Sequence, residues 1–127
     1  MMYWIKDRVE TPQQFPLNLL FQLILRCLGV MPLQFAVKRS RGYGIQICEW
    51  DDLLDNQDGV LVERGILEKL LEGTEEWFYD LDVEVIANSL IVRFGLHDST
   101  SMYIDAPEDI IDAIIGSFAE VEIAKEQ

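Results

Sequence analysis

Asp80, Asp82 and Glu84 stand at every second position of the run Trp77-Phe78-Tyr79-Asp80-Leu81-Asp82-Val83-Glu84-Val85. Carboxylates so spaced can hold a cation, share a proton or meet a basic protein. A strand sends successive side chains to opposite faces. These three and Phe78 are therefore expected on one face, with Trp77, Tyr79, Leu81, Val83 and Val85 on the other. Acids that alternate along a strand ordinarily mark the solvated side of a half-covered sheet. Burying an unpaired carboxylate costs several kcal/mol, so that face is expected to meet water.

Other groupings of reactive residue types are less complete. His97-Asp98-Ser99 contains the residues of a nucleophilic triad, but a triad is assembled from distant segments, and neighbours in a turn do not reach its geometry. His97 reads as a strand-end residue. One histidine and two isolated cysteines do not make a zinc site. The stretch Leu54-Asp55-Asn56-Gln57-Asp58-Gly59 has the look of a calcium loop. With Gly59 at the sixth position, however, Leu54 and Gly65 fall where the first and twelfth positions need acidic ligands. There is no G-x-x-x-x-G-K phosphate loop, and Gly42-x-Gly44 alone does not indicate a nucleotide. No catalytic residue, metal or cofactor is expected, and the chain is not read as an enzyme.

Arg41-Gly42-Tyr43-Gly44 matches the first half of the strand with which RNA-recognition modules stack bases. Ile45, Gln46 and Cys48 then occupy the places of an aromatic, a valine and a second aromatic, so most of the stacking platform is missing. The alternative is a hairpin: Leu33, Phe35 and Val37 alternate with polar or small residues, as do Tyr43, Ile45 and Ile47. A Ser-Arg-Gly link between the two runs supplies turn residues.

The elements that must position these residues follow from periodicity. Residues 17–29 form an apolar helix between Pro16 and Pro32, with a polar stripe of Asn18, Gln22 and Arg26. At about 14 residues it falls short of the roughly 20 needed to span a bilayer. Its apolarity suits a core or a subunit interface, so a homodimer through Leu17–Leu28 is one expectation. The predicted hairpin comes next, then an acidic turn segment over 51–59 and a helix with apolar positions 62, 66, 67, 70 and 71, ended by Gly73. The strand from Trp77, a turn at Ala87-Asn88-Ser89, a return over 90–96 and a short strand at 102–104 make a three-stranded meander. Pro107 opens a last helix, and residues 119–124 suit either strand or helix. The order α-ββ-α-βββ-α with short links implies one α+β domain over residues 1–127: an antiparallel sheet built of hairpin and meander, with about three helices packed on it.

Cys27 and Cys48 lie in apolar segments and are expected to serve as small buried hydrophobes, with a disulfide between them left open by spacing. The start Met-Met-Tyr-Trp-Ile-Lys-Asp lacks a signal-peptide pattern, so a reducing cytoplasm is the expected compartment.

Charge is the outstanding property. The chain carries −13, and unevenly: residues 1–48 hold six cations against two carboxylates, the remainder four against 21. Such a field repels nucleic acid and anionic membrane and draws in basic proteins. In the meander, Arg93, Asp98 and Asp105 are expected near the carboxylate row, leaving a mostly negative face with Phe78 at its edge. The expected partner-binding residues are therefore Phe78, Asp80, Asp82, Glu84, Asp98 and Asp105. A basic partner, of the nuclease-toxin kind that acidic immunity proteins neutralise, fits that surface. A homo-oligomeric structural or regulatory protein and an RNA-binding module are the competing readings.

Overall fold

A computed structural model describes residues 1–124. The strands are β1 (Met2–Ile5), β2 (Gln34–Tyr43), β3 (Val60–Val62), β4 (Trp77–Ala87), β5 (Leu90–His97), β6 (Ser101–Asp105) and β7 (Val121–Ile123). They form one antiparallel sheet in the order β3-β2-β4-β5-β6-β1-β7. The helices are α1 (Leu17–Leu28), α2 (Ile45–Leu54), α3 (Arg64–Glu72) and α4 (Glu108–Ile115). The α+β class and the β4-β5-β6 meander are as the alternation implies. Residues 119–124 resolve to an edge strand, β7, beside β1.

All four helices pack on one face of the sheet. Along β4 the core side chains are Leu81, Val83 and Val85, fully buried against Val37, Val92, Phe94 and Ile104 from neighbouring strands. Helix α1 lies between α3 and α4 and buries Leu17, Leu20, Phe21, Ile24, Leu25 and Leu28. Phe21 meets Phe94 in a stacked pair and Phe35 edge-on. The apolarity of this helix is thus spent mainly in the chain's own core. Its polar stripe is engaged as well: Gln22 donates to Asn18 and to the Glu68 carboxylate of α3.

The predicted hairpin at Ser40-Arg41-Gly42 does not form. Strand β2 runs straight through these residues, paired with β4 along its length, and the chain enters α2 at Ile45. Three contacts explain this. Gly42 lies so close to β4 that a Cβ there would sit 2.1 Å from the Trp77 carbonyl oxygen, so the glycine serves a close approach and not a turn. Ser40, fully buried, donates its hydroxyl to the Ile47 carbonyl at 2.9 Å. The first amides of α2, Gln46 and Ile47, find their acceptor in Glu76, at 2.9 and 3.2 Å. A helix start capped by a carboxylate thirty residues downstream leaves no local signature. The predicted acidic turn is correspondingly split, Asp51 and Asp52 belonging to α2 and β3 beginning at Val60.

Both cysteines correct the expectation of burial. Cys27 and Cys48 are exposed and unpaired, the second on α2 and not on a strand. Each sits on the outward side of an amphipathic helix whose apolar side is already occupied by larger residues. Among the described residues, no helix is long and apolar enough to cross a membrane.

Candidate functional site

The face of the sheet opposite the helices carries the carboxylate row. Two cross-strand rows run over it. One passes from Ala36 through Glu84 and Arg93 to Asp105 and Met2. The other passes from Arg39 through Asp82, Gly95 and Tyr103 to Trp4 and Glu122. Arg93 thus lies between Glu84 and Asp105, and its Nε donates to Glu84 at 3.0 Å. The proximity expected for Arg93 and Asp105 is realised.

Gly95 shapes the second row. A Cβ there would fall 1.8 Å from the Leu81 carbonyl oxygen and 3.0 Å from the Tyr103 ring. Without one, the Tyr103 ring reaches toward β4 and its hydroxyl donates to the Asp82 carboxylate. Burial first, and then that hydrogen bond, push the phenol far above its usual range. It therefore stays protonated, and a donor to Asp82, at physiological pH. Trp4 lies edge-on to Tyr103 at 6.2 Å between ring centroids and tilted against His97 at 6.0 Å. This Trp4–Tyr103–His97 patch was not legible in the sequence, because β1 reaches β6 across about a hundred residues.

Asp80 has a different role from its neighbours. It is buried, with 8% exposure, and its Oδ1 accepts the Asp98 amide at 2.8 Å. Arg39 stands 4.0 Å from its other oxygen. Asp98 and Ser99 both have positive φ, 47° and 55°, and the Thr100 amide bonds back to the His97 carbonyl at 2.9 Å. That is the geometry of a tight hairpin turn, which glycine or asparagine would enter with less strain. Strand β4 overhangs the end of β5 by Trp77–Asp80, and this turn helps to satisfy the overhang: Ser99 donates its amide to the Tyr79 carbonyl at 2.8 Å. Buried Gln13 completes the job for Phe78, accepting its amide at 2.9 Å and donating to its carbonyl at 3.1 Å. His97-Asp98-Ser99 is thus a braced turn.

Phe78 is not on the carboxylate face. It is 1% exposed and points into the core. The register against β2 explains the shift: Asp80 pairs with Arg41 and Phe78 with Gly42, so Tyr79 is an extra residue, a β-bulge. One inserted residue reverses the alternation beyond it. Tyr79 is consequently exposed and Trp77 half-buried outside the core, where strict alternation put both inside. Of the six expected binding residues, the outer face brings together Asp82, Glu84 and Asp105, with Asp98 at its end. Asp80 lies buried beneath that turn, and Phe78 has no access to a partner.

The expected negative character of this face is tempered. Arg93 pairs with Glu84, Arg39 with Asp80, and Tyr103 with Asp82. Uncompensated charge lies elsewhere, on α2, where Glu49, Asp51 and Asp52 are exposed, and on α4, where Glu108, Asp109 and Asp112 are exposed, and neither helix carries a cation. Tyr43, the aromatic of the half-matched RNA motif, ends β2 and stacks on Trp77 at 4.5 Å, and the motif's remaining positions are helical. Among the described residues, no group of three or more His, Cys, Asp or Glu draws together in a way that could hold a metal ion. Compared with protein-family models, curated proteins and solved structures, the chain matches none of them.

Proposed function

We propose that the chain is a small acidic protein-binding domain whose partner is a basic protein, as an inhibitor of a nuclease-type toxin would require. One observation supports this reading most. Of the nine lysines and arginines among the described residues, six (Lys6, Lys38, Arg39, Arg64, Lys69 and Arg93) already face a carboxylate within 4.0 Å. What the surface offers beyond those pairs is mostly carboxylate. Such a field accelerates encounter with a cationic partner and opposes phosphate backbones and anionic lipid.

The test is copurification from the source organism followed by association kinetics. Captured partners should be basic, and association should slow steeply as salt rises. Asp98→Lys with Asp105→Lys should slow it further and flatten the salt dependence while the fold melts normally, if the outer face takes part. Partners of neutral or acidic charge, or salt-independent association, would remove the reading. A self-associating protein is the second reading, supported by Leu19 and Val30, which stand exposed along α1 and just beyond it. Sedimentation at increasing concentration separates the two, since a homodimer would form without any basic partner.

A further inference from the structure

Where β2 passes into α2, the surface folds into an open groove of about 780 Å³ lined chiefly by Tyr43, Ile45, Cys48, Glu49, Asp52 and Glu75. Its apolar part is unusual for an exposed surface: Tyr43 is 56% and Ile45 86% exposed, next to Cys48. Ile45, Cys48, Glu49 and Asp52 follow the spacing of one helix face, the side of α2 opposite buried Ile47 and Trp50. The groove is also held firmly. Trp77 stacks against Tyr43 within 22° of parallel, and the Glu76 carboxylate clamps the first amides of α2. Gly44 permits that clamp, since a Cβ there would fall 2.1 Å from the Glu76 carboxylate oxygen.

The rim specifies the occupant. Glu49 and Asp52 are exposed and face no cation among the described residues, and Glu75 has only Lys69, 3.8 Å away with both side chains largely in water. Glu76 adds its charge beside Gly44. An aromatic ring and an aliphatic side chain bordered by carboxylates suit a cation with an apolar neighbour. A second copy of this chain, at −13, would bring like charges together, and nucleic acid or an anionic membrane would be repelled.

We propose that this groove docks a basic segment of a partner protein. A lysine or arginine of that segment lies over Tyr43 among Glu49, Asp52 and Glu75, and an adjoining apolar side chain covers Ile45. This rests on the reading that the partner is basic, and it moves the main contact from the outer sheet face to α2.

Cys48 makes the groove directly observable. In the Cys27→Ser chain, a labelled synthetic peptide alternating arginine and leucine should bind saturably by fluorescence anisotropy and slow maleimide alkylation of Cys48. Ile45→Ser and, separately, Asp52→Asn should each weaken binding by about tenfold. Both side chains are exposed, so neither variant should melt below the parent, and Asp52→Asn, which removes a carboxylate from the last turn of α2, should melt at or slightly above it. The same peptide with serine for leucine, or glutamate for arginine, should bind far more weakly. If the serine peptide binds equally well, the attraction is mere charge and the groove assignment falls. If the arginine–leucine peptide binds while Cys48 reacts at an unchanged rate and Asp98→Lys weakens binding instead, the groove falls but the reading of a basic partner stands. If no cationic peptide binds, both fall.

Discussion

Replacing Asp80 with alanine removes the acceptor that holds the Asp98 amide and the nearest partner of Arg39. Hydrogen bonds to charged groups are worth about 1.5–3 kcal/mol, and a loss in that range is the expected outcome in urea unfolding. A loss near zero would show that Asp98 and Ser99 hold their left-handed backbone unaided. Tyr103 gives a residue-level pH dependence. Its folded pKa is raised, so below the unfolded phenol value of about 10 both states keep the proton and the stabilisation is complete. Above that value the unfolded chain releases the proton while the folded chain retains it, and stability is lost as pH rises. Tyr103→Phe should therefore be less stable than the parent at neutral pH, because Asp82 loses its donor, yet show a shallower decline above pH 10. Parallel slopes for the two chains would contradict that assignment.

At the scale of elements, α2 is built against its own dipole. Asp51 and Asp52 lie in its last turn, Asp55 caps it, and that turn has no basic residue. Carboxylates near a helix C-terminus are unfavourable by about 0.3–1 kcal/mol each at low salt. Asp51→Lys should accordingly stabilise the chain by an amount of that order, and the gain should shrink in molar salt, where screening acts over about 3 Å. An arrangement that costs stability yet crowds acids beside an apolar groove is consistent with a binding role for this helix. Strand β2 sets the opposite constraint. Gly42→Ala would drive a Cβ into the Trp77 carbonyl, an obstruction of backbone and not of a flexible side chain. The expected cost is about 1–3 kcal/mol by chemical denaturation, with the β2–β4 pairing and the Tyr43–Trp77 stack disturbed together. A neutral substitution would mean that this end of the sheet can part without consequence.

For the molecule as a whole, one sheet covered by helices on a single face leaves an outer surface whose charges are largely matched, while the helical side gathers unmatched carboxylate on α2 and α4, of which α2 borders the apolar groove at Tyr43 and Ile45. A binding surface can therefore be sought by location and not by net charge alone. The same composition that suggested a basic partner would have directed attention to β4, whose acids are braced by Arg39, Arg93, Tyr103 and the Asp98 turn.

The sequence by itself determined the α+β class, helices α1, α3 and α4, the meander, and the outward row Asp82–Glu84 near Arg93 and Asp105. All of these rest on short-range periodicity, which is written in neighbouring residues. Only the tertiary structure decided the rest. The extra residue at Tyr79 turned Phe78 into the core, and such a bulge depends on the register against β2, a strand more than thirty positions away. Helix α2 replaced half of a predicted hairpin because Glu76 caps it from across the sheet, and Ile45 and Ile47 fit a period of two as well as they fit a short helix. The Trp4–Tyr103–Asp82 contact required β1 to insert between β6 and β7. Long-range pairing of this kind depends on which backbone groups are left unsatisfied once the local elements have formed, and no local pattern in the chain records it.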